Sequence, residues 1–514
     1  MKRTLAALAS LSAITSCAQQ DERPNIILFL VDDMGWQDTS LPFHTDTTNW
    51  NRRFQTPNME RLAEQGVKFT NAYACSVSSP SRVSLMTGAN ATRHKVTNWT
   101  LFKDTPTDKK SDILEFGKWN YNGLQEDTTI DNSYHATTLA TVLRNNGYQT
   151  LFVGKAHFGA VDTPGQEPLN VGFDVNVAGF ACGGPASYLA ENGYGANRNA
   201  FNAVPHLDKY HGTDTFLTEA LTIEAKEVMN KAIKKNDPFF LYFAHYAIHT
   251  PFEADVRFYD KYKEQGFEEW EARFATLVEG MDKSLGDILD YVEEKGIADN
   301  TIIMFMSDNG GYSVGVRTNT FGGEAKNAPL RAGKGALYEG GIREPMLVYA
   351  PGITEAGTVN DSPLLIEDFF PTILELAGVN VAEQTMTQEI DSKSFMAAIQ
   401  GESINNERPL FWHYPNFWGE SQGETGRPSS AVRIGNMKYI HSYERELNEL
   451  YDLSNDIGEK RNLLRVGSMA DRAKYKEIAK EMATVLSDKL RAENSPMPIV
   501  KKTGLQSKYP DQTL

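Results

Sequence analysis

The chain has 514 residues, 40% of them hydrophobic and 23% charged, which suits one large domain plus a smaller one and gives no compositional reason for disorder. Its 67 acidic residues outnumber the 51 Lys and Arg, and the formal charge of −16 excludes a phosphate-backbone binder, so no nucleic-acid partner is expected. An anionic substrate stays compatible with this balance if its pocket is locally basic.

The opening residues, MKRTLAALASLSAITSC, join Lys2 and Arg3 to an apolar run and small residues, the pattern of an export signal too short to span a bilayer. Ile14 to Cys17 resembles a bacterial lipobox. Residues 1–17 are therefore expected to be a lipoprotein signal peptide, with Cys17 lipidated in the mature protein and the membrane reached by the lipid anchor only. That places an exported bacterial lipoprotein at the outer membrane, cell surface or periplasm. Residues 18–23 form a polar linker. Cys75 and Cys182 then remain, enough for at most one disulfide and for no Cys-based metal site.

From Pro24 onward, continuous apolar runs predict strands buried on both faces. Ile26 to Val31 ends in Asp32 and Asp33; YQTLFVGKAH carries Lys155 and His157; DPFFLYFAHYAIH carries His245 and His249; NTIIMFMSDNGG ends in Asp308 and Asn309. Helical stretches such as TPNMERLAEQG and FLTEALTIEAKEVMNKAIKK lie between them. Strands alternating with helices imply an open α/β sheet, whose ligands sit outside the carboxyl ends of the strands. The convergence of ionisable residues at those ends is what one active site looks like in sequence. Residues 24–388 are assigned to this catalytic domain. Residues 389–514 change to shorter pieces, with a turn at Gly435-Asn436 between strand-like runs and a last charged helix near Met469 to Ala492. They read as a smaller C-terminal antiparallel-sheet subdomain and tail.

Asp32, Asp33, Asp308 and Asn309 offer hard oxygen donors of the kind Ca²⁺ or Mg²⁺ prefers. A single acidic pair is more often a cap or a solvated turn; two pairs at strand ends favour metal. ACSVSSPSRVSLMTG, residues 74–88, is a small-residue loop entering a helix, where the backbone N–H groups favour a developing anion. On composition alone such a loop is usually a capped turn.

SSPSRVSLMTG, from Ser78 to Gly88, resembles the signature of the type I, formylglycine-dependent sulfatases, of the serine type found in bacterial polysaccharide sulfatases. Pro80 and Arg82 set the register at Ser78; Cys75 in that role would need Pro at Val77 and Arg at Ser79, so Cys75 is read as a buried small side chain. RPNIILFLVDDMG, GKAH, AIHTPF, SDNGG, PLRAGKGALYEGGIREP and EDFFPTILELAGV resemble the family's landmarks in the family's order, over about residues 24–465. AH after Gly154-Lys155 and DSKS at 391–394 depart from the common pattern without touching catalytic positions.

The resemblance implies an alkaline-phosphatase-like mixed sheet flanked by helices. It implies Ca²⁺ on Asp32, Asp33, Asp308, Asn309 and the residue at 78, with Ser78 converted to 3-oxoalanine (formylglycine) by a serine-type maturase. Arg82 would fix the aldehyde hydrate, Lys155 and Lys334 would clamp sulfate, His157 would act on the hydrate's second hydroxyl, and His249 would protonate or bind the departing oxygen. His94 and His413 are candidate sugar contacts. His245 is read as a satisfied core residue. The implied activity is hydrolysis of sulfate esters on a sulfated carbohydrate, with an algal polysaccharide such as ulvan, carrageenan or agar favoured. The alternatives are a host glycosaminoglycan or mucin sulfatase, and a phosphodiesterase or phosphonate hydrolase on the same scaffold.

Overall fold

The structure, a computed structural model, describes residues 23–313, 325–404, 407–419 and 423–514. The expected signal peptide, Cys17 and all of the linker but Arg23 lie outside the described residues.

A nine-stranded sheet organises the larger unit. In chain order its strands are β1 (Asn25–Val31), β2 (Val67–Tyr73), β3 (Gln149–Gly154), β4 (Val175–Val177), β5 (Phe239–Ala244), β6 (Thr301–Ser307), β7 (Arg343–Tyr349), β8 (Thr358–Asn360) and β9 (Leu364–Leu365). The spatial order is β8-β2-β7-β6-β1-β5-β3-β4, with β9 also on β2. β1 lies parallel between β5 and β6, in registers that set Leu30 beside Ala244 and Val31 beside Ser307. β3 is parallel to β5, whereas β7 runs antiparallel to both β6 and β2. β1, β3, β5 and β6 therefore all end at one edge, and the loop before β7 arrives at that same edge.

Alternation explains why the runs are continuous in sequence. Ile27, Phe29 and Val31 face one core with helices α1 (Pro57–Gln65), α3 (Leu217–Ile233) and α4 (Glu269–Glu294). Ile26, Leu28 and Leu30 face the other with α2 (Ser78–Thr87) and α5 (Phe369–Leu376). Each such side chain contributes about 1.5–3 kcal/mol on burial, and a strand with helices on both faces has no position left for a polar residue until it ends.

The C-terminal unit is a four-stranded antiparallel sheet of β10 (Leu410–Tyr414), β11 (Ser429–Ile434), β12 (Met437–Ser442) and β13 (Leu447–Asp452). Ile434 pairs with Met437 across Gly435-Asn436, and Gly435 takes the left-handed φ of 56° that the two-residue turn requires. Helix α6 (Met469–Ala492) covers this sheet through Ala479, Met482, Ala483, Leu486 and Leu490. Phe395, Ala398 and Ile399 still pack in the core of the large unit.

Candidate active site

The sheet edge gathers the expected residues. Asp32, Asp33 and Asp308 each present a carboxylate oxygen within 4.8 Å of one another. Ser78, on the first turn of α2, places Oγ 3.2 Å from Asp32 Oδ1 and 3.1 Å from Asn309 Oδ1. Asn309 Nδ2 donates to Asp33 Oδ1 at 2.8 Å, which turns its oxygen toward Ser78. Lys155 Nζ bridges Asp32 Oδ2 (2.6 Å) and Ser78 Oγ (3.0 Å), and Lys334 Nζ sits 2.6 Å from Asp33 Oδ1. Asp32, Asp33, Ser78, Lys155, Asp308 and Asn309 are all buried. Asp33 and His157 hold left-handed φ values of 61° and 53°, a conformation non-glycine residues adopt at a cost.

Arg82 stands one turn after Ser78 and is fully buried. Its Nε and one terminal nitrogen both lie 2.9 Å from Asp308 Oδ2, and the other terminal nitrogen donates to the Lys155 carbonyl at 2.6 Å. In this arrangement Arg82 fixes a carboxylate and the Lys155 backbone.

Burial, with the repulsion of Asp308 and Asp33, outweighs Lys155 and Arg82 and pushes Asp32 up to about 7. Asp33 is also driven upward by burial, but Lys334, His249 and Lys155 together hold it below the usual carboxylate range. A hard divalent cation fits this cluster, because the donors facing one another are oxygens throughout. Three carboxylates against Arg82, Lys155 and Lys334 are balanced, so a divalent ion would leave the pocket cationic, as an anionic ester needs.

The two histidines line the mouth of this cluster in a cavity of about 500 Å³ with Ser78 and Lys334. His157 Nε2 lies 3.0 Å from the Thr100 carbonyl, an acceptor only, so that nitrogen carries the proton and Nδ1, which has no partner, keeps its lone pair. Burial and then Lys155 hold His157 well below its ordinary pKa, as a neutral base. His249 donates Nδ1–H to the Thr250 carbonyl at 2.8 Å, and its Nε2 is 3.7 Å from Asp33 Oδ2. Burial and Lys334, partly offset by Asp33, lower it to about 4.

Two expected pocket residues are elsewhere. His94 is fully buried, its Nε2 3.0 Å from Ser84 Oγ and its Nδ1 accepting from Val96 N–H; burial lowers it to about 3. His413 spends both nitrogens on Ser430 Oγ and the Pro496 carbonyl, each at 2.7 Å, and burial lowers it to about 4. Both are neutral fold histidines, and neither lines the cavity. His245 is buried in the core as expected, its Nε2 2.9 Å from Ser284 Oγ, but it is satisfied on that side only, because its buried Nδ1 has no hydrogen-bond partner. Cys75 is only half-buried, and both Cys75 and Cys182 are free thiols.

Sequence reading missed other parts of the cavity. Gly183 and Gly184 form a floor for the histidines: a Cβ at Gly183 would stand 2.6 Å from His157 Cε1, and one at Gly184 would stand 2.5 Å from His249 Nδ1. The Gly-Gly pair in ACGGP was the available signal. The small unit reaches the cavity through Trp418, five residues beyond the expected His413, and Trp99 faces it.

A carboxylate cluster able to hold a cation, Lys155 and Lys334 beside it and a serine at a helix N-terminus, set on one edge of a helix-flanked mixed sheet, suit the hydrolysis of an anionic ester. Comparison with known proteins narrows the class. Residues 24–379 match the Sulfatase family model, and residues 333–492 match the model described as N-sulphoglucosamine sulphohydrolase, C-terminal. A "Sulfatase" of Formosa agariphila is 30% identical, covering 95% of this chain and 93% of its own. The Mus musculus N-acetylgalactosamine-6-sulfatase is 29% identical, covering 89% and 85%. The structure of Ps i-CgsB in complex with k-i-k-neocarrahexaose superposes with a TM-score of 0.68 at 27% identity, covering 90% and 91% of the two chains. The chain belongs to the sulfatase family, has its alkaline-phosphatase-like fold with a small antiparallel C-terminal sheet, and is a sulfuric ester hydrolase.

Proposed function

We propose that this sulfatase removes sulfate from a sulfated carbohydrate, through a formylglycine formed at Ser78 and with Ca²⁺ held by Asp32, Asp33, Asp308, Asn309 and residue 78. The observation that carries the reading is the placement of Ser78 Oγ, at the start of α2 and within 3.2 Å of Asp32, Asn309 and Lys155 at once. A formylglycine hydrate supplies two hydroxyls on one carbon, one to attack sulfur and one whose deprotonation expels sulfate, an exit closed to serine. A bound divalent ion supplies Lewis-acid polarisation of the sulfate oxygens.

The chain's own side chains do the rest. Lys155 and Lys334 flank the position of the sulfate oxygens and neutralise their charge in a water-poor pocket. His157 Nδ1 is the free base that takes a proton from residue 78. His249, fixed through its Nδ1–H, turns Nε2 toward the site of the leaving oxygen, and the negative charge of a bound sulfate favours a proton there. Such a positioned imidazole is worth roughly 10²–10⁴-fold.

An algal polysaccharide is the favoured carbohydrate, in keeping with the neocarrahexaose bound by Ps i-CgsB. The N-acetylgalactosamine-6-sulfatases among the relatives make a host glycan the alternative. Export as a Cys17 lipoprotein to the periplasm or cell surface would bring the enzyme to such polymers, and a serine-type maturase would be its processing partner. The test is the peptide mass at Ser78 after expression with and without that maturase, paired with sulfate and phosphate release. Loss of two hydrogens at Ser78, with sulfate release only then, is expected. Equal activity of the unmodified protein, or preference for phosphate esters, would sink the proposal.

A further inference from the structure

Beside the sulfate-facing residues, the cavity wall is aromatic. Trp99 and Trp418 are half-buried, with ring centroids 5.8 Å apart and planes 35° from one another, and both line the cavity that holds Ser78. Phe201 also lines it, its ring centroid 4.6 Å from that of Phe102. Thr100, Asn202 and Thr250 supply polar groups among these rings.

Trp418 is held from several sides. Its N–H donates to the Gly426 carbonyl at 3.0 Å, and Gly426 N–H donates to the Gly335 carbonyl at 2.7 Å. Its Nε1–H reaches Asn98 Oδ1 at 3.3 Å. Gly335 and Gly426 both take left-handed φ, and a Cβ on either would fall within 2.8 Å of the indole. The ring is thus seated next to Lys334 by backbone that only glycine permits.

We infer that Trp99 and Trp418 form the sugar subsite of this enzyme, an aromatic corner assembled from both units that stacks on the C–H face of the pyranose whose sulfate reaches Ser78. The inference rests on the sulfatase reading and deepens it to specificity-determining residues. A pyranose presents an apolar C–H face and a rim of hydroxyls; partly exposed indoles lining the cavity with Thr and Asn match both, and stacked rings add contact energy without adding charge. Phe201 adds a further apolar surface to the cavity wall.

Titration calorimetry tests this with carrageenan, ulvan and chondroitin sulfate oligosaccharides, and with inorganic sulfate, on mature wild-type protein and on Trp99→Ala, Trp418→Ala and Trp418→Phe. For the tightest saccharide each alanine variant is expected to weaken binding about tenfold, while Trp418→Phe, which keeps an aromatic face and loses the Asn98 bond, stays within about threefold. Sulfate affinity, which reports Lys334 and its neighbours, stays unchanged. Saccharide binding unaffected by the alanine variants would overturn the inference, as would a parallel loss of sulfate affinity or the absence of any saccharide binding to wild type. Binding that depends on both tryptophans without sulfate release would instead fail the sulfatase reading and leave the sugar site standing.

Discussion

Replacing Gly184 by alanine should inactivate the enzyme without unfolding it. The new Cβ would stand 2.5 Å from His249 Nδ1, where ordinary contact begins at 3.4 Å. The imidazole must retreat by roughly 1 Å, and a misplacement of that size costs about 10²-fold in rate. Retreat also strains the 2.8 Å bond from Nδ1 to the Thr250 carbonyl that aims Nε2. The backbone at Gly184 is not left-handed, so alanine's own φ is no obstacle, and its narrowing of the unfolded ensemble offsets part of the crowding at the imidazole. Sulfate release by matured Gly184→Ala is therefore expected to show kcat down about 100-fold, with a thermal midpoint close to wild type. A wild-type kcat with the substitution in place would refute the reasoning; a lowered midpoint would mean that the floor, and not the histidine, had given way.

Lys438 is fully buried and bridges Glu339 Oε1 at 2.8 Å and Glu459 Oε1 at 2.9 Å, tying β12 to the segment after Lys334. Lys438→Met leaves buried Glu459 without its cation and Glu339 with Arg343 alone, and should cost about 3–5 kcal/mol in denaturant unfolding. Calcium at about a hundred times its Kd should raise the thermal midpoint of wild type by the equivalent of about 2.7 kcal/mol, and Asp308→Ala should abolish that rise. His94, His245 and His413 are held at about 3, about 3 and about 4, below the ordinary 6.5, so the unfolded chain binds more protons between those values. Their contribution to stability is full above pH 6.5 and is lost as pH falls toward 3 to 4. Melting curves from pH 7 to pH 5 should show the midpoint falling, less steeply in His413→Gln.

The strands and the gathering of ionisable residues at their ends were legible in the chain because each is local chemistry. A run such as Ile26 to Val31 has to be buried on both faces, and the first polar residues after it have to lie at the sheet edge. Ser78 was singled out by the resemblance to the sulfatase signature, whose register Pro80 and Arg82 set. Histidines were harder, because a histidine that completes a core and one that faces a substrate are the same letter. His94 and His413 were read toward the pocket and turned out to spend their nitrogens on Ser84, Ser430 and backbone groups.

What the sequence alone determined was the kind of chemistry and the strand ends that carry it; the tertiary structure decided which side chains share the cavity. Trp418 meets Trp99 across more than three hundred positions only because the strap before β11 is hydrogen-bonded onto Gly335. Gly183 and Gly184 matter only because the chain returns beneath two histidines from other strands. Contacts of that kind depend on how the units pack, and periodicity along one segment carries no information about which distant segment will lie against it.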